Sequence, residues 1–390
     1  MKRRFAVLLA ATLLGSATSL PAKPVTATLP PFESNYQPND IDEKGLWMLA
    51  DEDERGLRDS KLVIHDVALN TYLHGVLCRT VGTDRCGSVR IYVERVPAFN
   101  ASMAPNGTLR IWTGLLLRIR SEAELAAVLG HEFGHFEERH SLAGYRQARS
   151  ATDVMAFAGL LGLPGLMVQL SAMNSFFVFN RAQEKEADVR AFGYVAASPY
   201  RPGVAADIWG RLMDEADATA AGRNQRSHRY DQVSFFASHP PELERATYLR
   251  DMAKKDGDDG IDGADAYRTA MAPWMAGFLA DQIKLNNLTG TEFLLGQLAA
   301  ANGWTPDLLV ARGELYRLRG NPRDLVTAAG YYRQAIADGT SDPDARRGLG
   351  LTLMRSQLID EGRQALREYL TLKPAATDAA MITMLIGGNK

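Results

Sequence analysis

The sequence predicts a mainly α-helical chain with one small β-sheet, followed by an all-α repeat region, and three observations carry that reading. Residues 88–96 (SVRIYVERV) and 107–114 (GTLRIWTG) alternate apolar and polar side chains as strands do, with turn residues Pro105, Asn106 and Gly107 ahead of the second. Ser121 and Glu124 have capping-box spacing in front of Leu125, Val128 and Leu129, so a helix should run from about residue 121 to 139. Near the C-terminus the chain resembles itself at an offset of 34 residues: Leu315 and Tyr316 align with Leu349 and Gly350, Ala328 with Gly362, Tyr332 with Leu366, and Ala335 with Tyr369.

Taken in order, the chain opens on Lys2, Arg3 and Arg4, an apolar run from Phe5 to Leu14, and small residues at Ala17 and Ser19, the pattern of a signal peptide over residues 1–22. The run is short for a membrane span and has no cysteine at the cleavage region, so export to the periplasm without a lipid anchor is expected. Without those three basic residues the balance of 44 basic and 46 acidic side chains becomes 41 − 46 = −5, and no basic run elsewhere suggests nucleic acid. An oxidising compartment makes Cys78 and Cys86 a candidate disulfide, a staple of about 2.5 kcal/mol on the chain-entropy account. The alternative is a buried Cys78 and a free Cys86 thiol.

At 390 residues two or three domains are expected, divided as 23–255 and 256–390. Residues 40–80 carry helical spacing through Val67, Leu69, Leu73, Val76 and Leu77. Residues 154–180 contain no charge, but three glycines, Pro164 and Gln169 favour a buried or membrane-facing helical hairpin over a span. The Gly- and Asp-rich residues 254–265 read as a linker or exposed loop. Beyond them, the 34-residue period is that of tetratricopeptide repeats, with an unrelated helical bundle as the alternative.

The chemistry concentrates in LGHEFGHFEERHS, residues 129–141. On a helix His131 and His135 stand one turn apart on one face and can offer two imidazole nitrogens to one cation. Glu132 flanks that face, placed as a general base without being a ligand. A third ligand is needed. His140 lies nearby, but Glu138 and Ser141 occupy the positions where a metzincin carries glycine and histidine. The other source is RAQEKEADVRAFG, in which Glu184 and Asp188 are a turn apart: Glu184 could bind the metal while Asp188 orients a ligand imidazole. Glu186 is the rival ligand, about 200° around the helix from Glu184.

With FNASMAPNGTLRIWTGLL, AAVLGHEFGHFEERHS, RAQEKEADVRAFG and SHPPELER, the chain resembles the CAAX-prenyl-endopeptidase and HtpX class of zinc metallopeptidases, from about residue 45 to 250. The resemblance implies a zincin-like α+β domain holding one Zn²⁺ on His131, His135 and Glu184, with Glu132 as catalytic base and Asp188 behind a ligand. It also implies that the strand at Asn100 and Ala101 receives a peptide by strand addition, that His239 can take the fourth metal position and keep the enzyme latent, and that Arg245 completes that motif. The expected function is endoproteolysis of unfolded or misassembled envelope proteins, the repeat-like tail binding substrates or outer-membrane assembly machinery, with peripheral membrane contact through residues 154–180. A chaperone or adaptor with a latent or structural zinc site is the alternative.

Overall fold

The structure, a computed structural model, describes residues 29–159, 181–226 and 243–387. The expected signal peptide, residues 160–180 of the charge-free stretch, and His239 lie outside the described residues.

The helical spacing expected across 40–80 is split into α1 (Ile41–Arg58) and α2 (Val67–Val81). Each starts at an aspartate whose carboxylate takes orphan backbone N–H groups: Asp40 from Asp42 and Glu43 at 2.9 and 3.0 Å, Asp66 from Leu69 at 2.7 Å. Between them Ile64 donates its N–H to the Val93 carbonyl at 2.8 Å, so this segment is committed to the sheet and cannot stay helical. Val67, read as part of the apolar face, is exposed, whereas Leu69, Leu73, Val76 and Leu77 are buried. Cys78 and Cys86 are joined in a disulfide, tying the end of α2 to the approach to the sheet.

Both expected strands are present, as β1 (Arg90–Glu94) and β3 (Thr108–Trp112), with a short β2 (Ala101–Met103) between them in sequence. The sheet order is β1-β3-β2; β3 runs parallel to β1 and antiparallel to β2. Trp112 donates to the Asn100 carbonyl and Ala104 to that of Thr108. By alternation, the backbone groups of Ala101 and Met103 therefore point away from β3, toward an edge that no strand covers among the described residues and where Ser141 Oγ lies 3.5 Å from the Met103 carbonyl oxygen.

After α3 (Thr113–Arg118) the chain enters α4 (Glu122–Glu137). Ser121 caps it, accepting the Glu124 N–H at 3.1 Å, while the Glu124 carboxylate reaches back to the N–H of Arg120 and not to that of Ser121. The helix ends two residues earlier than expected because Arg139 turns left-handed (φ 56°), and α5 (His140–Gly159) starts at the next residue in a new direction. A helix described over 181–196, here α6, is followed by α7 (Val204–Gly222) and α8 (Leu243–Asp256). The Gly/Asp-rich loop is exposed yet anchored: Asp258 accepts from the Gly203 N–H at 2.6 Å, and Glu122 donates to Gly263 at 3.4 Å.

Helices α9 (Ala264–Ile283), α10 (Leu288–Asn302) and α11 (Pro306–Arg319) share one apolar core with α2, the sheet and α4, including Leu73, Ile111, Leu125, Phe278, Leu295 and Leu315. Then α12 (Pro322–Ala337) folds back on α11, and α13 (Asp344–Arg355) and α14 (Ile359–Leu372) form a second hairpin, with α15 (Ala379–Leu385) last. The 34-residue pairs fall on equivalent helices: Leu315 and Leu349 on α11 and α13, Tyr332 and Leu366 on α12 and α14, all buried. Among the described residues no helix is long and apolar enough to cross a membrane.

Candidate metal centre

Helix α4 presents His131 and His135 on one face, their Nε2 atoms 3.0 Å apart. Across from them α6 brings in Glu184, whose Oε2 is 3.5 Å from His131 Nε2 and whose Oε1 is 3.4 Å from His135 Nε2. The two helices approach closely because α4 carries glycine where they touch: a Cβ on Gly134 would stand 3.3 Å from the Ala187 carbonyl oxygen, and one on Gly130 would stand 3.5 Å from Ala191 Cα. Four-coordinate zinc with bonds near 2.05 Å has ligand-to-ligand edges of about 3.3 Å, so these three donors fit one such ion, and two imidazoles with a carboxylate suit it chemically. His131, Glu132 and Glu184 are buried, and the His135 side chain is only 12% exposed.

The supporting groups arrive from two further directions. Asp188, one turn beyond Glu184, sets Oδ1 2.8 Å from His131 Nδ1, which leaves His131 Nε2 facing the cluster. Arg245 on α8 donates to both Asp188 oxygens, at 2.8 and 2.7 Å, and its Nη1 is 3.0 Å from Glu184 Oε2. The guanidinium lies 4.1 Å from the centroid of the Trp209 ring on α7, and Tyr248 donates its hydroxyl to Asp188. Burial alone would push the Asp188 carboxyl up, but His131 and Arg245 hold it far below the usual range. Burial likewise opposes charge on His131, yet Asp188 and Glu184 raise it to about 9, while burial lowers His135 to about 4.

The two rival ligands are placed elsewhere. His140 is buried, with Nδ1 2.8 Å from His135 Nδ1 and Nε2 3.3 Å from Glu186 Oε2. Glu186 faces outward and reaches His140, as its angular offset from Glu184 requires. His140 is thus the first residue of α5 and not a tail of α4. Of the two strand candidates, Asn100 turns its carbonyl toward β3, where it accepts from Trp112, and Ala101 turns its backbone groups to the side of β2 away from β3. Sequence reasoning missed Tyr248 and Trp209. Tyr248 had a signal, since it lies three residues after Arg245 on the same helix face, whereas Trp209 had none. Among the described residues the other metal-like group, His74 with Cys78 and Cys86, has its sulfurs in the disulfide.

The sequence profile of Peptidase family M48 matches residues 73–253. The chain is similar to the beta-barrel assembly-enhancing protease of Yersinia pestis, 23% identical over 338 residues, covering 82% of this chain and 58% of that protein. It is also similar to the putative beta-barrel assembly-enhancing protease of Vibrio cholerae serotype O1, 28% identical over 189 residues, 45% of this chain and 39% of that one. Metalloprotease LoiP of Escherichia coli K12 is 30% identical over 164 residues, 40% of this chain and 60% of its own. The chain thus spans less than two thirds of the length of the curated relatives it matches. The matched residues include all the side chains gathered at the two histidines, and residues 73–253 are a Peptidase family M48 domain.

Proposed function

We propose that this chain is an exported zinc metalloendopeptidase that cleaves unfolded or misassembled envelope polypeptides, with its C-terminal helical hairpins acting as tetratricopeptide-like docking elements. The observation that carries the reading is the convergence of His131 Nε2, His135 Nε2 and the Glu184 carboxylate beside the buried Glu132. Zinc held there would act as a Lewis acid toward a peptide carbonyl and make water a stronger acid. The chain's own groups do the rest. Glu132 takes the proton of the attacking water and returns it to the leaving amine. Asp188 and Arg245 hold His131 and Glu184 in place, and the open side of β2 aligns an extended substrate through backbone hydrogen bonds, which suits clients of varied sequence. His239 is assigned the regulatory role of a displaceable fourth ligand, and periplasmic localisation follows from the N-terminal pattern.

The test is Glu132→Gln in the exported protein. Bound zinc should stay stoichiometric while casein cleavage falls at least 10³-fold. Undiminished turnover would refute the assignment, and a metal-free wild type would remove the zinc.

A further inference from the structure

Two polar groups close to the metal centre have no part in the mechanism above. His140 is 6% exposed, and its two ring nitrogens touch His135 on one side and Glu186 on the other. A 2.8 Å contact between two Nδ1 atoms is a hydrogen bond only if one nitrogen carries a proton and the other does not. Glu186 settles which. Its carboxylate can only accept, so the proton of neutral His140 belongs on Nε2, and His140 Nδ1 is left bare. That bare nitrogen accepts from His135 Nδ1–H. A neutral imidazole with Nδ1 protonated keeps its lone pair on Nε2, the atom that faces His131 Nε2 and Glu184.

We propose that Glu186 and His140 form a two-link hydrogen-bond relay that holds His135 in its Nδ1–H tautomer and so orients its Nε2 for the metal. Asp188 does the same for His131 in one link, so each histidine of the centre has a carboxylate behind it: direct and buried for His131, outward-facing and through an imidazole for His135. His140 and Glu186 are therefore positioning residues, and neither is among the three converging donors. The inference rests on the metal-site reading of the proposed function.

Two variants and two readouts test it on the full-length chain. His140→Leu removes the acceptor, and Glu186→Leu removes the outer link at an exposed position where folding is not at stake. Zinc affinity, measured by competition with a chromogenic chelator, should fall about 10- to 100-fold in His140→Leu. Glu186→Leu should lose less, and Glu186→Gln, which retains an accepting oxygen, should restore affinity. In metal-free protein labelled with ¹⁵N-histidine, the His135 ring should show the Nδ1–H pattern in the wild type and lose that preference in both Leu variants. An unchanged His135 tautomer in Glu186→Leu overturns the relay. The metal-free spectrum decides this even if the wild type binds no zinc, an outcome that would count against the proposed function alone.

Discussion

Arg245 reads differently once its surroundings are known. It is almost fully buried, it neutralises Asp188 and Glu184 together, and Trp209 covers its face. Removing it would take from two desolvated carboxylates the guanidinium they share, so Arg245→Met should cost metal-free protein about 3–5 kcal/mol in urea unfolding. An unchanged urea midpoint would show that the guanidinium is not holding the pair. The histidine spacing and Glu132 were legible because an i, i+4 pair is local geometry. The choice between Glu184 and Glu186 was not, since either residue could have faced α4 until the angle at which α6 packs was known.

Helix α1 meets the sheet through three carboxylates, Asp51 on Asn106, Asp53 on Arg110 and the buried Glu54. Glu54 is 3% exposed and accepts from Arg90 at 2.6 and 2.7 Å, from Tyr92 at 2.8 Å and from Arg58 at 3.0 Å. The Arg90 hydrogen bonds, partly offset by burial, lower its carboxyl from 4.5 to about 2. A depressed value means the stabilisation is complete above pH 4.5 and is lost as pH falls toward 2. Glu54→Gln should therefore be less stable by about 2–3 kcal/mol at neutral pH, allowing for solvent around the arginines, and the gap should close near pH 2. A gap independent of pH would mean the loss is steric. In the C-terminal hairpins the comparable point is Tyr332, fully buried between α11 and α13, its hydroxyl donating to Glu314 at 2.7 Å. A Cβ on Gly348 would stand 2.3 Å from Tyr332 Cζ, so Gly348→Ala should lower stability by about 1–3 kcal/mol, seen as an earlier thermal transition. Equal melting temperatures would show that the ring can move aside. Among the elements, the strands and α4 were readable from alternation and capping. The break between α1 and α2 was not, because it is imposed by pairing of Ile64 with β1.

Across the whole molecule, the C-terminal helices are not loosely attached. Tyr267 donates its hydroxyl to the Leu116 carbonyl at 2.6 Å, Arg95 pairs with Asp281 at 2.7 Å, and Met271, Phe278 and Leu279 complete the core that α4 begins. A chain cut after Asp256 would expose that surface, so it should bind a hydrophobic dye and unfold without a cooperative transition. Sharp two-state melting of the fragment would show that its core closes by itself. By itself the sequence determined the fold class and the paired histidines with their base, because these are written in residues within a turn or a strand of one another, and the helical 34-residue periodicity, because it repeats along the chain. Tertiary structure alone decided that Glu184 and not Glu186 meets the histidines, that His140 backs His135, and that Arg245 bridges two carboxylates. Apart from the five-residue step between His135 and His140, those contacts join residues 49 (184 − 135) to 61 (245 − 184) positions apart and depend on how close α4, α6 and α8 can pack, which no local pattern encodes.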